Sequence, residues 1–300
     1  MNTLVVILGP TGVGKTELCL HIAEHFHIPI VNADSRQIFA EIPIGTAAPT
    51  PKQLSRVRHY FVGNHHINEY YSASMYEQDV MSLLPTLFDS NDLALMTGGS
   101  MMYIDAVCNG IDDIPTVDEN TRKWMKERLA EEGLERLVEE LHQLDPVHWE
   151  EVDKNNPRRV VHALEICHMT GNPYSTFRKH NKKERPFHIL KIGLNRERLE
   201  LYDRINERVE QMFRDGLVEE ARQMYPYQKE NALNTVGFKE LFSAFNGDYS
   251  LDEAKERIKG NTRKYCRKQL TWFKRDETIQ WLHPQQEKEI IQLIQNTIQK

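Results

Sequence analysis

"LVVILGPTGVGKTELCL", residues 4–20, is the stretch whose reading decides the fold. Leu4 to Leu8 is an unbroken apolar, β-branched run, the composition of a strand buried on both faces of a parallel sheet. Gly9, Pro10, Thr11, Gly12, Val13, Gly14, Lys15 and Thr16 then complete the phosphate-loop pattern G-x-x-x-x-G-K-[ST]. Beyond the glycines, Leu18, Ile22 and Phe26 recur at four-residue spacing, with Cys19 and Ala23 widening the stripe, so a helix is expected up to Pro29. Between a strand and a helix the motif has physical content. Loop amides and the helix N-terminus can surround phosphate oxygens, Lys15 can reach the outer phosphate, and the Thr16 hydroxyl can ligate Mg²⁺. Such a loop holds a diphosphate or longer without saying which bond breaks.

Working outward, "IPIVNAD" (28–34) and "LALMTGG" (93–99) read as two more buried strands, each ending where chemistry can be placed at the carboxyl edge of a sheet. Alternating strands and helices imply an α/β fold: a P-loop NTPase-like, doubly wound parallel sheet. From about Asp112 the texture changes to Glu-rich helical periodicity, and "NPRRVVHALEICHMTG" (156–171) has Pro157 in its first turn and Gly171 at its end. Residues 112–186 therefore read as a helical insertion domain. Residues 1–111 and 187–300 form the core, whose sheet resumes at "FHILKIGL" (187–194) and is followed by helices to the end.

Three hundred residues, two-fifths hydrophobic, suffice for a sizeable core and contain no run of the roughly 20 apolar residues that spans a bilayer. No membrane partner and no export leader are expected, and four scattered cysteines without metal-ligand spacing suit a reducing, cytoplasmic compartment. Net charge is −6, yet residues 255–275 carry nine Lys or Arg against one Glu, a local +8, interleaved with Tyr265, Trp272 and Phe273. A basic patch with aromatics on an acidic body points to a nucleic-acid partner. Arg263, Lys264, Arg267 and Lys268 fall at helical spacings that predict one cationic stripe, remote from the phosphate loop. "RKHNKKER" (178–185) is a second basic cluster.

Asp34 ends the second strand, and Ser35, Arg36 and Gln37 offer donors and acceptors suited to a purine edge. A carboxylate there can serve as general base or hold a metal, and its position alone does not choose. His21 with His25 and His65 with His66 lack a third ligand and read as ordinary histidines.

"GPTGVGKT", "NADSRQIF" with "IGTAAP", "TGGSMMYIDAV", "NPRRVVHALEICHMTG", "ERVEQMFRDGLVEEAR", "TVGFKEL" and "TRKYCRKQLTWFKR" resemble, in the same order, the successive motifs of bacterial tRNA dimethylallyltransferases. The resemblance implies transfer of the dimethylallyl group of dimethylallyl diphosphate to N6 of the adenosine 3′ of the anticodon. The phosphate loop then grips a leaving group. It implies Asp34, Lys15 and Ser100 as catalytic residues, Thr16 as the Mg²⁺ ligand and the whole 9–16 loop as the diphosphate site. Contacts to the tRNA anticodon stem-loop are implied for Asp34, Ser35, Arg36, Gln37, Ser100, Arg122, Arg158, Arg159, Val160, Val161, His162, Gly237, Lys239, Arg263, Arg267 and Lys268, with the insertion domain holding the stem-loop. Ser100 stands where the family usually has Thr, keeping a hydroxyl, and His162 where many members have Arg. Monomer is the default state. Competing readings are an adenylate isopentenyltransferase using free AMP, ADP or ATP, a small-molecule kinase of the same fold, and a nucleotide-gated RNA-binding module.

Overall fold

The computed structural model describes residues 1–179 and 182–299, so His180 and Asn181 of the second basic cluster lie outside the described residues. Contacts gather into two compact units, Met1–Asn109 with Glu184 onward, and Gly110–Lys183. The first unit opens with β1 (Thr3–Leu8), α1 (Lys15–Phe26), β2 (Ile30–Ala33), α2 (Pro43–Thr46), α3 (Pro51–Arg56), β3 (His59–Tyr60), α4 (Ala73–Phe88), β4 (Leu93–Gly98) and α5 (Met101–Asn109). The second unit holds α6 (Glu119–Leu144), α7 (Pro146–Glu151) and α8 (Pro157–Thr170). The first then resumes with β5 (His188–Leu194), α9 (Arg198–Arg214), α10 (Leu217–Met224), α11 (Phe238–Phe245), α12 (Leu251–Phe273), β6 (Gln280–Leu282) and α13 (Glu287–Ile298).

The six strands pair in parallel in the order β3-β2-β4-β1-β5-β6. This is the doubly wound α/β sheet of the phosphate-loop type. β1 lies between β4 and β5, and all six of its residues are buried, which accounts for its lack of polar alternation. Val5 and Ile7 face Leu18 and Ile22 of α1, Leu201 and Ile205 of α9 and Ile290 and Ile294 of α13. Leu4, Val6 and Leu8 face Tyr76, Val80 and Leu84 of α4 and Tyr103, Ile104 and Val107 of α5. Winding proceeds from β1 to one side and, at β5, to the other, so the reversal falls at β1, whose carboxyl end opens into the 9–16 loop. A third cluster, with Ile38, Val209, Leu217 and Phe238, extends the core toward α10 and α11. α12 reaches all three clusters, through Cys266, Phe273 and Ile258.

Two strands differ from the sequence reading. β3 has two residues and β6 three, each pairing at a sheet edge, and β6 interrupts what reads as continuous helix. Neither is long enough to display a period of two. Where the chain re-enters the first unit, Arg185 makes a buried ion pair with Glu77 at 2.5 Å and donates to the carbonyls of Ala106 and Val107, near the end of α5.

The second unit has its own core of Met125, Leu137, Leu141, Val152, Val160, Ala163 and Leu164. Gly133, at φ 78°, breaks α6 into two helical segments. Asp145 is fully buried. It accepts from the His148 N–H (3.0 Å), the Ser175 N–H (2.7 Å) and the Ser175 hydroxyl (2.7 Å), joining the start of α7 to the turn after α8. Val160 corrects the sequence reading. Its side chain is 0% exposed in this core, since α8 turns it inward with Ala163 and Leu164, so it has no face to offer RNA.

Candidate active site

At the carboxyl edge of the sheet, wholly within the first unit, lies a cavity of about 1130 Å³. The 9–16 loop forms one wall. Gly14 caps α1 at φ 105°, a left-handed conformation that a side chain would oppose, and a Cβ on Gly12 would stand 2.9 Å from Ile205 of α9. Val13 is a core residue and brings only its backbone to the loop. Pro10 and Gly9 turn their carbonyls inward, and the Lys15 ammonium donates to both, at 2.9 and 2.8 Å. Burial, and after it the Arg208 charge, pull Lys15 down to about 8, with Asp34 acting in the opposite direction. Thr11, Gly12, Gly14, Lys15 and Thr16 line the cavity.

Opposite the loop, Asp34 ends β2 in a turn that it closes itself: its Oδ1 accepts from the Arg36 N–H at 2.9 Å and the Gln37 N–H at 3.3 Å. Asp34, Ser35, Arg36 and Gln37 all line the cavity. Gln37 spends its amide hydrogens on the Thr46 and Ala47 carbonyls, at 3.1 and 2.9 Å, so for a base it offers its oxygen. The loop bearing these carbonyls is clamped by Glu220 of α10, which accepts from the Ile44 and Gly45 amides at 2.8 and 2.7 Å. Burial raises the Glu220 pKa against those two bonds.

Ser100 differs from its expected place. It is 7% exposed and lies outside the cavity lining, which Gly98 and Gly99 form instead. Its amide donates to Ala33 and its carbonyl receives the Ile104 N–H as α5 begins, so its backbone is tied to the end of β2 and the first turn of α5. Cys19 is no nucleophile. Its thiol donates to Thr97, whose hydroxyl donates to Ile7, and burial pushes its pKa up to about 12.

Three arginines escaped the sequence reading. Arg208 of α9 lines the cavity and donates to Thr46 at 3.4 Å; burial lowers its pKa and the Asp34 charge opposes this. Arg204 donates to the Gly12 carbonyl at 2.8 Å, and Arg196 to that of Val13 at 2.7 Å. Their signal was the run of arginines at 196, 198, 204 and 208 that follows β5 directly. Clustered cations around a phosphate loop make a site for more than one negative charge.

α12 crosses the same cavity, contrary to the expected remoteness. Lys264, Tyr265, Lys268 and Gln269 line it, and the Tyr265 hydroxyl is pushed up to about 12 by burial and then by Asp34. The predicted single stripe is split between two faces. Arg263 donates to Asn206 and Arg267 to the Tyr202 hydroxyl, both on α9, at 2.5 and 2.9 Å, whereas the two lysines point at the cavity. Helical geometry places 263 and 267 about 100° from 264 and 268, enough to face different neighbours. Gly237 and Lys239, at the start of α11, complete the lining.

Among the described residues no three His, Cys, Asp or Glu side chains gather into a metal cluster. The Thr16 hydroxyl and the Asp34 carboxylate both border the cavity, and this sparse oxygen set fits Mg²⁺ arriving with a diphosphate that supplies the remaining oxygens.

In the second unit Arg158 and Arg159 are exposed at the start of α8, after the Asn156 cap, and Arg122 lies in the first turn of α6. His162 is half-buried, 3.4 Å from Glu165 and edge-on to Tyr174, while Val161 packs partly on the core.

Known proteins are similar to this chain in sequence and fold. The family described as IPP transferase matches residues 37–276. tRNA dimethylallyltransferase 1 of Bacteroides fragilis is 59% identical over 297 residues, 99% of each chain, and tRNA dimethylallyltransferase 2 of Parabacteroides distasonis is 60% identical over 95% of each. The crystal structure of the tRNA isopentenylpyrophosphate transferase of Bacillus halodurans superimposes with a TM-score of 0.73 at 30% identity, covering 100% of this chain and 97% of its own. A eukaryotic dimethylallyltransferase solved acting on tRNA shares the fold, with a TM-score of 0.80 at 24% identity over 95% of this chain and 74% of that one. A phosphate loop walled by arginines, a carboxylate facing it and near-full-length similarity lead to one conclusion: the chain belongs to the IPP transferase family.

Proposed function

We propose that this protein is a tRNA dimethylallyltransferase that moves the dimethylallyl group from dimethylallyl diphosphate to N6 of the adenosine 3′ of the anticodon. The observation that carries the reading is the meeting, in one cavity, of the phosphate loop, Asp34 and the lysines of α12. On this reading the 9–16 loop, Lys15, Arg204 and Arg208 hold the diphosphate. As the allylic C–O bond breaks, its electron pair leaves with the diphosphate, and these cations stabilise the charge gained there. The N6–C bond forms on the face turned to Asp34, which takes the proton that N6 sheds. Mg²⁺, bound through Thr16, would neutralise part of the diphosphate charge.

To reach Asp34 the adenine must leave its stack, the usual course for enzymes acting on a base. Tyr265, Arg36 and the Gln37 oxygen line the cavity where it would lodge. Arg122, Arg158, Arg159 and His162 would contact the anticodon stem-loop from the second unit, and Lys264 and Lys268 its backbone from α12. We further assign a monomer acting in the cytoplasm; four buried free thiols suit a reducing compartment.

The test is to offer labelled dimethylallyl diphosphate together with unmodified tRNA, free AMP or ATP. Label should pass to tRNA, and Lys15→Ala should lose turnover through lost diphosphate binding. Asp34→Asn should bind both substrates and turn over about 10²-fold more slowly or worse. Label on AMP would instead establish the free-nucleotide transferase, and near-normal turnover by Asp34→Asn would remove the proton-acceptor role.

A further inference from the structure

Arg196 is the second residue after β5, and its side chain is 9% exposed. Each nitrogen of its guanidinium has a place. Nη1 pairs with the Glu200 carboxylate, whose other oxygen stands 3.8 Å from His283. Nε donates to the Val13 carbonyl at 2.7 Å. Nη2 lies against the phosphate loop, where a Cβ on Gly14 would stand 3.4 Å from it. The positive charge therefore has a carboxylate beside it, while the donor that reaches the loop ends on backbone. The Val13 carbonyl belongs to a flat peptide unit. In a trans peptide the C=O and the N–H point in opposite directions, so a bond that holds this carbonyl on Arg196 aims the Gly14 N–H the other way, into the curl of the loop. Gly12 and Gly14 are left-handed, at φ 82° and 105°, with Val13 between them. Such alternation turns successive N–H groups toward one concavity, which receives an anion. Glycine permits that conformation without enforcing it, so a tie from outside the loop has something to do.

We infer that Arg196 is a positioning residue for the diphosphate, and that it acts through the Val13 carbonyl as a hydrogen-bond donor rather than through its charge. It holds the Val13–Gly14 peptide in the orientation in which the amide meets a phosphate oxygen, so that binding does not have to order this peptide first. This rests on the reading above that the 9–16 loop holds a diphosphate. Arg204 and Arg208, which that reading places on the diphosphate, differ in kind: their contribution is charge, and that of Arg196 is the direction of a backbone dipole.

The experiment uses the full chain and measures the affinity for dimethylallyl diphosphate with Mg²⁺ by calorimetry, with no acceptor RNA present, together with the melting temperature. A glutamine Nε2 lies as many bonds from the backbone as an arginine Nε, so Arg196→Gln keeps a donor at the Val13 carbonyl and discards the charge. Arg196→Met places a methyl group there and discards both. Arg196→Lys keeps the charge and carries its donor one bond too far. The Gln variant should bind within about threefold of wild type, whereas the Met variant should bind about tenfold more weakly or worse, and the Lys variant should rank with it.

Equal losses in the Gln and Met variants, or a Lys variant that binds like wild type, would assign the effect to charge and overturn the inference. Melting temperatures that fall while all four chains bind alike would make Arg196 a structural residue only, which overturns it too. If the Gln or the Met variant fails to fold, Arg196→Lys decides alone, a tenfold loss supporting the inference and wild-type affinity overturning it. If none of the three folds, hydrogen exchange at the wild-type Gly14 amide decides: the diphosphate should slow it several-fold, and an unchanged rate overturns the inference. A wild type without affinity for dimethylallyl diphosphate would instead refute the reading of the loop itself, a result distinct from binding that is indifferent to Arg196.

Discussion

Lys15 lies folded back on the carbonyls of Gly9 and Pro10, with its ammonium destabilised by burial and by Arg208 until it titrates at about 8. A bound diphosphate replaces those carbonyls with full negative charge and restores the ammonium. Binding above pH 8 therefore takes up a proton, and affinity for dimethylallyl diphosphate should fall by up to about tenfold per pH unit there. Calorimetry in buffers of different ionisation enthalpy checks this: proton uptake should appear at pH 9 and vanish in Lys15→Met. The sign for stability is the opposite. The unfolded lysine holds its proton to its ordinary 10.5, so the cost of the buried charge is complete below about 8 and is relieved as pH rises between the two values. Much at this scale was legible in the sequence, because a phosphate loop and a carboxylate at a strand end are local patterns. Arg196, Arg204 and Gln269 were not, since each bonds the loop from more than 180 positions downstream, and Arg208 reaches Thr46 from 162 positions downstream, where no short motif announces it. Ser100 and Val160 were misplaced because a residue's type does not tell which way its turn or helix is rotated.

α12 separates its cations by face, and this changes what neutralising them should do. Lys264→Ala with Lys268→Ala removes charge from the cavity. The slope of log affinity for tRNA against log salt should fall by about one to two units, and affinity for the diphosphate should fall too. Arg263→Ala with Arg267→Ala breaks the bonds to Asn206 and the Tyr202 hydroxyl, lowering the melting temperature while changing the salt slope less. Titrations of tRNA at several salt concentrations distinguish the pairs; equal slopes would mean that the division by face has no bearing on RNA. Elements with a long enough pattern were legible: β1, β2, β4 and β5 as apolar runs, α1 and α8 from their stripes and stop residues. The two edge strands were not, because two or three residues make no period, and their pairing is decided by neighbours far along the chain.

At the scale of the whole molecule the change from mixed to Glu-rich helical composition marks residues 112–186 as a separate segment, and contacts divide the chain after Asn109 and after Lys183. Each unit has its own buried core, so damage to one should be felt first in that one. Leu164→Ala, in the core of the second unit, should cost that unit about 2–5 kcal/mol. Denaturation followed by tryptophan fluorescence should then show an early transition from Trp124 and Trp149, with Trp272 and Trp281 reporting the wild-type midpoint later. A single shared transition would mean that the two units unfold as one.

β1 pairs with β4 on one edge and on the other with β5, Thr3 standing beside His188. During synthesis the amino-terminal strand must therefore wait, with one edge unpaired, while the whole intervening helical unit is made and leaves the ribosome. At ordinary elongation rates of about 5–20 residues per second, that interval lasts about ten seconds or more. A nascent chain of this protein thus presents an apolar parallel strand edge to its surroundings for that time, a natural target for a chaperone and the point at which slow translation would carry the greatest risk of mispairing.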